Sequence, residues 1–157
     1  MAFDGTDVFL LASQLGLPDL QRSASAAGVM SILQVSAYYA ERRVRHSVAR
    51  VIEYQTGEIE MRVVYQGVSL HEPLRLPVAR ERMERLDEAL LRVRFDKLRD
   101  QPGLSYAERS LWLIQRAAGT HLHGVMVAPD RPETPYSTLV NAIDACLPAA
   151  IRELPLR

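Results

Sequence analysis

The chain has 157 residues, 48% of them hydrophobic, and its 19 basic and 19 acidic side chains cancel at neutral pH. That length accommodates one ordinary domain of about 100–150 residues with a core of its own, which excludes wholesale disorder. Balanced charge argues against a coat for nucleic acid, and a single cysteine, Cys146, excludes an internal disulfide framework or a cysteine-rich zinc module.

Thr6 is placed to cap a short helix, Asp7 to Leu15, that stops at Gly16 before the turn Leu17-Pro18-Asp19. A second helix is predicted from about Leu20 to His46. Along it Ala24, Ala27, Gly28 and Ser31 form a strip of small side chains that lets another helix approach closely. With Tyr38 and Tyr39 that strip reads as an interface. The most apolar stretch, Ser23–Ala40, is diluted by four serines and Gln34, so it reads as a buried helix and no membrane span is expected. Asp4 and Asp7 precede any base, the opposite of a secretory leader, and a cytoplasmic location is expected. Arg42, Arg43 and Arg45 then form a basic cluster with Arg50, a charge that suits a helix C-terminus.

From Val48 the period changes to two. Val48, Arg50, Ile52 and Tyr54 alternate with Ala49, Val51 and Glu53, and Ile59, Met61, Val63 and Tyr65 later share one face. This alternation predicts a β-hairpin closed at Gln55-Thr56-Gly57. Gly67 interrupts the second strand, which resumes through Val68–Leu70, and two prolines keep His71–Pro77 extended. A helix follows from Val78 to about Leu98, with Met83, Leu86, Leu90 and Val93 as its apolar stripe and a mixed-charge face read as solvated. Ser105 with Glu108 matches a capping box and predicts a helix to Ala118. His121–Ala128 reads as a strand, Tyr136–Leu147 as a helix, and Ala150–Leu154 as a last short strand.

Three kinds of chemistry are open to these residues. His121 and His123, two apart on a strand, share a face and could meet one metal, with Asp130 or Asp144 as third ligand, as in a metal-binding protein or metal-assisted hydrolase. Their plain alternative is two ordinary histidines where a loop enters a strand. Cys146 is in phase with Leu139 and Ile143, so it reads as a small buried hydrophobe and not as a nucleophile. The arginine cluster could bind nucleic acid or an acidic protein, although the neutral balance speaks against nucleic acid. The glycines make no GxGxxG or Walker pattern and no GxSxG is present, so no cofactor is expected.

From Gly57 onward the order strand, strand, amphipathic helix, strand, Pro-Tyr loop, helix, short strand resembles the soluble domain of the ExbD/TolR biopolymer-transport family. The residues that carry the resemblance are Val125-Met-Val-Ala-Pro-Asp130, then Thr134-Pro-Tyr-Ser-Thr-Leu-Val140 and Ile143-Asp144. It covers at most the last hundred residues. The family's membrane helix with its proton-carrying aspartate has no counterpart in Ser23–Ala40, which contains no acid. The resemblance therefore implies a fold and a habit of self-association or partner binding, not ion-driven force.

The expected architecture is α+β: a small mixed sheet with a β-hairpin, helices packed on one side, and an N-terminal helical pair. Residues 1–46 would form the helical segment and residues 47–157 the α+β domain, in one compact unit. The expected function is a non-enzymatic interaction protein, a homodimer or small oligomer serving as adaptor or scaffold in a bacterial assembly.

Overall fold

The computed structural model describes residues 6–40, 43–68, 74–105 and 107–155. The predicted continuation Ser69–Leu70, the start of the extended segment at His71–Pro73, and Arg42 of the basic cluster lie outside the described residues. The α+β class holds. Six strands form one sheet: β1 (Val29–Tyr39), β2 (Ser47–Tyr54), β3 (Ile59–Tyr65), β4 (Leu74–Pro77), β5 (Ser110–Ala118) and β6 (His121–Val127). Their spatial order is β4-β3-β2-β1-β5-β6, and every pairing is antiparallel where a mixed sheet was expected.

Helices cover both faces of the sheet. α3 (Arg80–Arg92) and α4 (Tyr136–Cys146) lie on one, and Leu86, Leu139 and Ile143 pack there against Val35, Val63 and Ile114. The opposite face takes the short N-terminal helices α1 (Thr6–Gln14) and α2 (Leu20–Ala24). Val8 of α1 meets Leu111, Leu113 and Met126, while Leu20 and Ala24 of α2 meet Ile32, Ile52 and Ala117. The single-sided helical layer expected from the sequence is thus corrected to a major layer and a minor one.

The predicted hairpin is present, with Gly57 at φ +93° in its turn. The predicted long helix Leu20–His46 is not. It ends after one turn, and Gly28 at φ +84° feeds the chain into β1. Residues 1–46 are therefore no separate helical segment, because β1 lies between β2 and β5 inside the sheet. The predicted helix Ser105–Ala118 is also overturned: Ser105 does accept a backbone N–H, from Ala107, but in a turn that leads into β5. Glu108, expected to complete a capping box, instead accepts the guanidinium of Arg131 at 2.7 Å. The tail carries a 3-10 turn, Pro148–Ile151, and a single bridge from Val44 to Pro155 in place of the expected strand.

A polar row crosses the minor-layer face in direct register: Gln115 of β5, Gln34 of β1, Arg50 of β2, Arg62 of β3 and Arg75 of β4. Arg50 is only 4% exposed. Its Nε donates to Gln34 Oε1 at 2.6 Å, and its terminal nitrogens donate to Ser23 Oγ and to the carbonyl of Pro18. Burial pulls its pKa down to about 10, with the charge of Asp19 opposing that shift and Arg62 adding to it. The side chain assigned to a surface basic patch is instead a buried tie between the sheet and the N-terminal helices.

Both sheet edges are blunted. On β6 the outward backbone at Met126 donates to Asp100 Oδ1 at 2.8 Å and accepts from the Gln101 N–H, and the Gln101 side chain accepts from the Ala128 N–H. β4 is four residues long and ends in Pro77.

Two substitutions test this account. Arg50→Ala is expected to lower stability by about 2–4 kcal/mol in urea unfolding, since Gln34 and the Pro18 carbonyl lose their donor in a buried site. Gly28→Ala meets no atom within 4 Å, so its cost is conformational, about 1 kcal/mol or more at that positive φ. In a helix the same change would stabilise by about 1 kcal/mol, so the sign of the change in urea midpoint decides between them.

Candidate interaction site

α3 carries two stripes. Met83, Leu86, Ala89 and Leu90 face the core. Beside them Glu84, Asp87, Glu88 and Leu91, spaced i, i+3, i+4 and i+7, border a groove with a volume of about 740 Å³. α3 stops at Val93, and Arg94 adopts φ +53°, a left-handed conformation that turns the chain sharply into a 3-10 turn at Phe95–Lys97. Phe95 is buried there, edge-on to His123 with ring centroids 5.5 Å apart. Asp96 reaches back over the end of the sheet, 3.7 Å from the Arg116 guanidinium and 3.2 Å from His121 Nε2. Glu53 at the end of β2 and Arg116 on β5 line the sheet side of the groove, and Glu53 accepts from Ser31 Oγ at 3.4 Å.

The groove carries five carboxylates against three cations. Burial pushes the Asp87 carboxyl above its ordinary range; Glu53 and Glu84 push the same way, and Arg116 opposes them.

The candidate metal set does not assemble. His121 contacts Asp96, and the Nε2 N–H of His123 donates to the carbonyl of Leu98 at 2.8 Å. Asp130 lies past the other end of β6, where it accepts from Ser110 Oγ at 2.7 Å, and Asp144 is exposed on α4. Among the described residues no three His, Cys, Asp or Glu side chains group as metal ligands. Cys146 is in the core as expected, and burial raises its thiol pKa.

The expected interface and basic cluster are split and partly merged. Ala24 is used up against the sheet, Ala27 and Gly28 are exposed in the turn, and Ser31 is half-buried on β1. Tyr38 and Tyr39 instead meet Arg45 in a smaller cleft of about 430 Å³. There Tyr38 stacks on His46 at 4.6 Å, and the Tyr39 N–H donates to His46 Nδ1 at 3.1 Å. Arg45 donates to the Gln66 carbonyl at 2.7 Å, and Arg43 is exposed.

The groove residues escaped the sequence reading because Glu84, Asp87 and Glu88 pass as a solvated face. Leu91, at the end of that acidic stripe and outside the core stripe, is the signal that could have singled it out. No protein-family model matches the chain, and no curated protein matches it. The ExbD/TolR resemblance thus rests on the quoted residues alone. Among the described residues no helix is long and apolar enough to cross a membrane.

Asp87 gives a pH prediction. Its folded-state pKa is raised, so the native state holds the proton to higher pH than the unfolded chain does. Stability is therefore lost as pH rises from the ordinary carboxylate range, about 4, through the raised value. Asp87→Asn is expected to raise the melting temperature at pH 7, with the gain vanishing as pH falls toward about 4. A gain that is the same at both pH values would contradict it.

Proposed function

We propose that this chain is a non-enzymatic interaction protein that pairs with a second copy of itself and serves as an adaptor or scaffold in a multiprotein assembly. The observation that carries the proposal is α1. Asp7 is the only charge in Thr6–Gln14, and the helix is apolar on both sides. Val8 and Leu11 are buried against the fold, while Phe9 and Leu10 remain 51% and 48% exposed on the outside. Large apolar side chains on the outer side of a helix are better placed in an interior, and a second copy laid against Phe9 and Leu10 by a twofold axis supplies one. Withdrawing the exposed parts of two large side chains per copy from water contributes a few kcal/mol toward offsetting the cost of association. The self-association implied by the ExbD/TolR resemblance is in keeping with this reading, and so is a main groove lined by carboxylates and leucines.

Light scattering at micromolar concentration tests it. The wild type is expected to be dimeric. The double variant Phe9→Asp/Leu10→Asp, which leaves Val8 and Leu11 in place, is expected to be monomeric with an unchanged far-UV spectrum. A wild type that stays monomeric at every accessible concentration would refute the proposal.

A further inference from the structure

Leu91 is 82% exposed, the most exposed large apolar side chain among the described residues, and it stands at the lip of the groove. We propose that this groove docks a cationic amphipathic helix from a protein partner, with the exposed Leu91, seated above the buried Leu90 and Phe95, receiving its apolar side chains and Glu84, Asp87 and Glu88 receiving its arginines or lysines. The proposal rests on the reading of the chain as an interaction protein, but it uses a surface separate from α1.

Charge selects the occupant. Asp96 is already matched by Arg116 and His121. Glu53, Glu84, Asp87 and Glu88 have no ion-pair partner among the described residues. The two remaining cations of the lining, Arg94 and Lys97, both lie past the end of α3. Every charge that α3 contributes to the lining is therefore negative, its arginines Arg80, Arg82, Arg85 and Arg92 lying outside the lining, and an acidic segment brought into the groove would be repelled. The α1 helix of a second copy does not fit either, since Thr6–Gln14 holds Asp7 and no base.

Shape and polarity agree with charge. From Glu84 to Leu91 the stripe extends about 10 Å along α3, which matches two turns of a partner helix. Acids lead and a leucine closes it, so a helix with leucines flanked by bases finds apolar and charged partners in one register. The volume of about 740 Å³ suits a few side chains and not a folded domain.

Fluorescence anisotropy with the full chain tests the proposal, using three labelled peptides of about four helical turns. The first has leucines at every third or fourth position with arginines between them; the second is its scramble; the third replaces each arginine by glutamate. The first peptide is expected to bind at least about tenfold more tightly than the scramble, and the glutamate peptide to show no binding. Leu91→Ser and the triple variant Glu84→Gln/Asp87→Asn/Glu88→Gln are each expected to weaken the first peptide by about tenfold, with Leu91→Ser leaving the scramble unchanged. Equal binding of the first peptide and its scramble would show a diffuse charge effect and overturn the proposal. So would no binding at all, or binding that both variants leave intact. Light scattering on the same samples separates the two surfaces: a dimer that binds no peptide refutes only the groove, and a monomer that binds the first peptide refutes only the α1 pairing.

Discussion

The pairing of β1 with β2 on one side and β5 on the other holds the layers in place. β1 contributes Leu33, Val35 and Ala37 to the major core, while its Ile32 lies under α2 in the minor one. A strand buried on both faces leaves little room for polar atoms, and Gln34 is tolerated because Gln115 and Arg50 lie beside it in register and complete its hydrogen bonds. The same row reaches Pro18 and Ser23, so the minor layer is positioned by hydrogen bonds as well as by packing.

The groove follows from how the major layer ends. α3 packs beside α4 over the sheet, then stops at Val93, and the left-handed Arg94 folds the 3-10 turn back over the strand ends. Glu53 and Arg116 lie just beyond the apolar rows of β2 and β5, so the cover changes from leucine to charge at that boundary. One helix therefore carries two stripes: its core stripe anchors it, and the neighbouring stripe borders the groove.

What the sequence disclosed depended on how each element is buried. The β2–β3 hairpin alternates on its second strand because β3 has one wet face, with Glu60 and Arg62 pointing out between Ile59, Met61 and Val63. β1 and β5 lack that alternation because both of their faces are covered, and a continuous apolar run with alanine and serine imitates a buried helix. Gly28 belonged to that misreading: a glycine seen as a point of close helix contact is a turn residue. α3 and α4 were legible from their single apolar stripes, whereas the groove was not. It depends on Asp96, Arg116 and Glu53 converging from three separate elements, and no local spacing encodes that.

The capping of β6 by Asp100 and Gln101 bears on how copies of this chain can accumulate. With the outward backbone at Met126 and Ala128 already satisfied, and β4 four residues long and ending in proline, neither margin offers, among the described residues, a long template on which another molecule's strand could zip. The twofold α1 pairing proposed above would exhaust its adhesive surface once used, so growth by that route would terminate at a discrete particle.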